Sequence, residues 1–80
     1  MDKLTNEERS ENLLHNIVWL RREHGLSKTR MARLLGVGVR TLERIEGGEL
    51  PSRLTVKVFF RMEEAFGCSS EDLLNRRLGE

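Results

Sequence analysis

Arg40 and Arg44 stand four residues apart in VRTLERIE, so on a helix they share one face. A guanidinium is a planar fork of donors that fits guanine O6 and N7, or a phosphate, through paired hydrogen bonds. From Lys28 to Arg44 the chain carries five cations, Lys28, Arg30, Arg33, Arg40 and Arg44, against one anion, Glu43. The ends have the opposite sign. Met1 to His15 holds two cations and four anions, and Met62 to Glu80 holds two cations and five anions. Net charge is only +1, so the distribution decides: a basic centre on an acidic body turns that centre toward a phosphate backbone.

Other chemistries find no support in the residue pattern. His15, His24 and Cys68 lack the spacing of metal ligands, and no nucleophile, base and orienting group converge, so no catalytic residues, metal, cofactor or small-molecule ligand are expected. His24 is expected to finish a helix as a C-terminal cation, and Cys68 to fill a small apolar slot. A lone cysteine excludes an internal disulfide framework and fits a reducing compartment; the cytoplasm is the expectation. No run reaches the roughly 18 apolar residues of a membrane span, and the first ten residues lack the layout of a signal peptide.

These side chains need a scaffold that eighty residues can supply. The length suits a single domain spanning 1–80, and 38% hydrophobic against 34% charged residues suits a compact helical module. So short a chain buries only about 60 to 65% of its unfolded surface, which makes association with a second copy a useful supplement. Glycines divide the sequence into segments of helical periodicity, and five helices are predicted. The first starts near Thr5, in a capping box with Glu8, and ends at Gly25 with a core stripe of Leu13, Ile17, Leu20, Arg21 and His24. Helix two follows Ser27 as N-cap, buries Met31, Ala32 and Leu35, and stops at Gly36; helix three runs from near Val39 to Ile45. Helix four covers about Thr55 to Phe66, with Val58, Phe59, Met62, Ala65 and Phe66 inward. Helix five covers Ser69 to about Leu78, with a capping box between Ser69 and Asp72. Residues 1–11 are candidates for a frayed extension of helix one, and 76–80 for a disordered tail.

Two short helices joined by a tight glycine turn, Ser27 to Ile45, can hold the second helix at an angle suited to the DNA major groove. An ordinary helical hairpin would also read this way. The wider pattern goes further. LSKTRMARLLGVGVRTLERIEGGELPS, followed by EEAFGCSSEDLL, resembles the phage-repressor, Cro-like (xenobiotic-response-element type) helix-turn-helix family of bacterial and phage transcription regulators. The likeness covers about Ile17 to Leu74. It rests on Arg21 four residues before Gly25, Leu26-Ser27, Ala32, Leu35-Gly36-Val37, Thr41-Leu42, Ile45-Glu46, Gly48, Pro51-Ser52, Ala65-Phe66-Gly67 and Leu73-Leu74.

The resemblance implies an all-α fold, a compact five-helix bundle of the phage-repressor DNA-binding domain type, with a helix-turn-helix at about 27–46. It implies sequence-specific binding of double-stranded DNA by helix three, repression rather than activation, and a homodimer on a palindromic operator. It also implies a partly buried ion pair between Arg21 and Glu46. The base-reading positions fall on Val39, Arg40 and Arg44. Val39 can only touch a thymine methyl, so G·C pairs are expected opposite the arginines. Glu43 is open between accepting from a cytosine amine and orienting Arg40 or Arg44. Ser27, Lys28, Thr41 and the backbone near Gly48 are candidates for phosphate contacts, since the start of helix two presents free N–H groups. Arg30 and Arg33 are either part of this set or plain surface charge.

Four features depart from the family pattern. Lys28 replaces the usual Gln, Gly38 the usual Ser or Thr cap, Glu63 the usual Ala, and the link after Glu46 is a few residues longer. Lys28 and Gly38 also suit a competing reading, a protein-interaction module such as an antitoxin that keeps the fold while its contacts move to another protein. Val56 and Phe60 fall opposite the core stripe of helix four, with Leu50 and Leu54 before them. A twofold dimer interface would cover them, and so would the longer link folded back over Phe60. Trp19, opposite the stripe of helix one, is open between the N-terminal segment, helix five and such an interface.

Overall fold

The computed structural model describes residues 4–49 and 56–80. Five helices follow in order: α1 (Asn6–Glu23), α2 (Lys28–Leu35), α3 (Val39–Glu46), α4 (Val56–Phe66) and α5 (Ser70–Asn75). There is no strand among the described residues. Leu50, Pro51, Ser52, Leu54 and Thr55 lie outside the described residues.

Local chemistry accounts for most helix ends. At the start of α1, Thr5 Oγ1 accepts the Glu8 N–H at 3.1 Å and Glu8 Oε1 accepts the Thr5 N–H at 3.0 Å, a complete capping box. Hydrogen bonds from the Thr5 backbone, then from its hydroxyl, hold the Glu8 carboxyl below its ordinary range. Gly25 ends α1 at φ +61°, where the Leu26 N–H reaches Arg21 O at 2.9 Å. Ser27 Oγ caps α2 by accepting the Arg30 N–H at 3.1 Å. Gly36, at φ +73°, turns the chain between α2 and α3, and the Val37 N–H closes on Ala32 O at 3.0 Å.

The core is one cluster shared by all five helices: Leu13, Ile17 and Leu20 of α1, Met31, Ala32 and Leu35 of α2, Leu42 and Ile45 of α3, Val58 and Met62 of α4, and Leu73 of α5. Phe59 and Phe66 pack on its edge half-buried. Ala65, expected inside, is exposed; in the last turn of α4 the apolar contact is carried by Phe66, whose ring lies 4.9 Å from that of His24. His24 itself is not a core residue. It is the exposed C-cap of α1, with Nδ1 3.0 Å from Leu20 O. Cys68 is half-buried, and its thiol is pushed up first by burial and then by Asp72.

The C-terminal end differs most from expectation. Helix α5 stops at Asn75, three residues early, because α1 takes its backbone groups. Asn16 Nδ2 donates to Leu73 O at 2.8 Å and to Arg76 O at 2.7 Å, Asn12 Nδ2 donates to Leu74 O at 2.9 Å, and Asn16 Oδ1 accepts the Leu78 N–H at 2.8 Å. Carbonyls and an N–H that would have continued the helix are satisfied sideways instead. Residues 76–80 thus run along α1. His15 Nε2 lies 3.1 Å from Leu78 O, and Gly79 sits against the Trp19 indole, leaving no room there for a Cβ. The capping box expected between Ser69 and Asp72 forms by half. Ser69 Oγ accepts the Asp72 N–H at 3.1 Å, while the Ser70 N–H goes to Glu63 Oε1 of α4, also at 3.1 Å. Glu63 therefore ties α4 to the start of α5.

Candidate nucleic-acid interface

The α2–α3 unit is anchored to the body along the inner face and the far end of α3. Leu42 and Ile45 are fully buried and fix that face against α1 and α2. At the C-terminal end, Glu46 receives a forked contact from Arg21: Nε to Oε2 at 2.5 Å and Nη2 to Oε1 at 2.9 Å. Arg21 Nη1 also donates to Leu26 O at 3.1 Å, so one guanidinium joins α1, the α1–α2 link and α3. The side chains are 17% and 10% exposed, which makes this a mostly desolvated pair whose geometry matters.

With that side fixed, the opposite side of α3 faces solvent. Val39, Arg40, Glu43 and Arg44 are exposed, and Thr41 is half-buried. Neither Arg40 nor Arg44 has an ion-pair partner among the described residues. Glu43 does not orient either arginine. Its carboxylate lies 3.9 Å from Lys28 Nζ, across the two helices, with both side chains about half exposed. A pair of this kind is weak in water and is readily exchanged.

Ser27 and Lys28 stand exposed at the start of α2, and the Ser27 hydroxyl, having accepted from Arg30, keeps its own hydrogen to donate. Gly48 is exposed just past α3 at φ +95°. Arg30 and Arg33 are exposed on α2 and likewise unpaired among the described residues. The helix starts show a contrast that individual side chains do not. Acidic residues occupy the first turn of α1 (Glu7, Glu8) and of α5 (Glu71, Asp72), whereas α2, α3 and α4 have none, and α3 has no side-chain cap at Gly38. The positive ends of α2 and α3 thus carry no acidic side chain in their first turns, and that of α2 is capped by the Ser27 hydroxyl alone.

A family profile described as helix-turn-helix matches residues 17–73, well over half of the chain. The chain belongs to the Cro/C1-type helix-turn-helix family. No curated protein and no solved structure matches it significantly. The matched stretch of the helix-turn-helix domain begins at buried Ile17 and ends at buried Leu73, so it holds the packed frame and the basic unit together. Helix-turn-helix proteins of this type are DNA-binding transcription regulators. No helix among the described residues is long and apolar enough to cross a membrane.

Beside α1 and the end of α3 the domain has a groove of about 350 Å³ with Leu14, Val18, Trp19 and Ile45 in its lining. Its neighbours His15 and Glu46 are already engaged, His15 with Leu78 O and Glu46 with Arg21. Three residues that shape the domain are not among those expected from the sequence. Asn12 and Asn16 fall at helical spacing within the apolar stripe of α1, a pattern that signals buried amides. Arg61 of α4 carries no such signal, because only the packed fold lays it over Gly36.

Proposed function

We propose that this protein binds double-stranded DNA sequence-specifically as a homodimer and represses transcription by occupying a near-palindromic operator. The observation that carries the reading is the free arginine face of α3, mounted on a frame that cannot easily shift. Arg40 and Arg44 project from a helix whose other side is pinned by Leu42, Ile45 and the Arg21–Glu46 fork. A rigid reader gives specificity, since a misplaced guanidinium forfeits both bonds of its fork at once.

In this reading α3 lies in the major groove, with Arg40 and Arg44 on guanines and Val39 against a thymine methyl. Ser27, Lys28, Thr41 and the Gly48 backbone hold phosphates, and Lys28 exchanges Glu43 for a phosphate on binding. Glu43, released, lies between the two arginines on the sequence of α3, in reach of a cytosine amine. Val56 and Phe60, 66% and 59% exposed on α4, form the contact between two copies. Repression needs nothing beyond this, because an occupied promoter excludes polymerase.

Selection of the purified protein on a random duplex pool at near-physiological salt tests the whole reading. Enrichment of two half-sites about one helical turn apart, with guanines at the arginine positions, is the expected result. Weak, salt-sensitive binding without enrichment would replace it with the protein-interaction reading.

A further inference from the structure

Like Arg9, Arg61 carries a buried Nε without a hydrogen-bond partner among the described residues, and it lies over the turn at Gly36. It projects from α4, which packs on α2, and its side chain lies across the turn into α3. A Cβ at Gly36 would stand 2.9 Å from Arg61 Nε, 3.2 Å from Cδ and 3.3 Å from Cζ. Gly36 therefore does two things: it takes φ +73°, and it leaves the floor on which the guanidinium rests. Nε is buried and has no hydrogen-bond partner, and no carboxylate among the described residues pairs with the guanidinium. Nε has given up its water without gaining a partner among the described residues, which favours a charged partner from outside.

Its position says which partner. Gly36 is two residues before Gly38, the N-cap of α3, so the guanidinium sits beside the reader helix where it begins, next to a helix start without acid or side-chain cap. Ser27 and Lys28 occupy the other end of α2. Eight helical residues are about 12 Å long, and the major groove is about 12 Å wide. A helix laid over the groove would put Ser27 and Lys28 on one backbone and Arg61 on the other.

We infer that Arg61 is a phosphate contact of the DNA complex, a cation delivered from α4 to the backbone opposite the one held at the start of α2. The inference rests on the DNA-binding reading above and adds to it a residue outside the helix-turn-helix unit. Packing over Gly36 pre-sets the guanidinium, so little side-chain freedom is given up on binding.

The test is the salt dependence of binding to a short labelled duplex of mixed sequence, followed by anisotropy. Arg61→Met keeps the apolar stem over Gly36 and removes the charge; Arg61→Lys keeps a charge. Removing a single phosphate interaction lowers the slope of log Kd against log salt by about 0.9. Arg61→Met is expected to show that drop, with binding weakened by a similar factor on every sequence, and Arg61→Lys to retain most of the slope. A slope equal to wild type in Arg61→Met, whatever its melting temperature, overturns the inference and leaves Arg61 as cover for the turn. Should Arg61→Met fail to fold, Arg61→Gln supplies the neutral comparison. Failure of the wild type to bind any duplex is a separate result, which removes the DNA-binding reading and this phosphate interaction with it.

Discussion

Asn16 and Leu78 are joined across the bundle: the buried amide of α1 accepts the Leu78 N–H at 2.8 Å while its Nδ2 serves Leu73 O and Arg76 O. One side chain with no solvent exposure thus satisfies three backbone groups at the end of α5. Asn16→Ala leaves them without partners in a site that water reaches poorly. Each buried unsatisfied group costs about 1 to 3 kcal/mol, and partial rehydration of the tail reduces the sum, so a destabilisation of about 2 to 4 kcal/mol is expected in urea unfolding. Trp19, packed against Gly79, reports the release of the tail by fluorescence. A change under about 0.5 kcal/mol would mean that these groups are hydrated without Asn16.

Glu46→Ala strands Arg21, whose side chain is only 17% exposed, and should cost about 2 to 4 kcal/mol. The double variant Arg21→Met, Glu46→Ala should recover much of that stability, since no charge is left buried. Additive effects in that cycle would show that the two residues act independently.

Arg40→Ala and Arg44→Ala should leave the melting temperature unchanged, because both side chains are exposed and unpaired among the described residues. Each should cost about 1 to 3 kcal/mol of discrimination at its own base pair. Repeating the duplex selection with each variant locates that base pair. Undiminished preference in both would move base reading away from α3.

Phe60→Glu should yield a monomer by sedimentation if Val56 and Phe60 form the contact between copies, and should weaken operator binding more than binding to a single half-site. The exposed position makes the substitution harmless to the monomer fold. A dimer of unchanged affinity places the interface elsewhere.

Local patterns carry most of the fold. Five helices, the Thr5–Glu8 box, the Ser27 cap and the turn at Gly36 depend on interactions within a few residues, so they are legible along the chain. The core is legible as far as it is apolar: Leu13, Ile17, Leu20, Met31, Leu35, Leu42, Ile45 and Met62 follow helical periodicity into the interior. Where polar groups enter, spacing puts Asn16 on the buried stripe but does not show what it bonds to, 57 to 62 residues away.

The basic unit and its acidic surroundings follow from residue types alone, and so do the arginine face of α3 and the family to which the pattern is similar. Tertiary packing decided the rest. It ended α5 at Asn75 by handing its carbonyls to α1, gave the start of α5 to Glu63, turned Glu43 toward Lys28 instead of the arginines, and laid Arg61 over Gly36. Each of these joins groups far apart in the chain or on different helices, and such contacts are set by how helices cross, which no local spacing encodes.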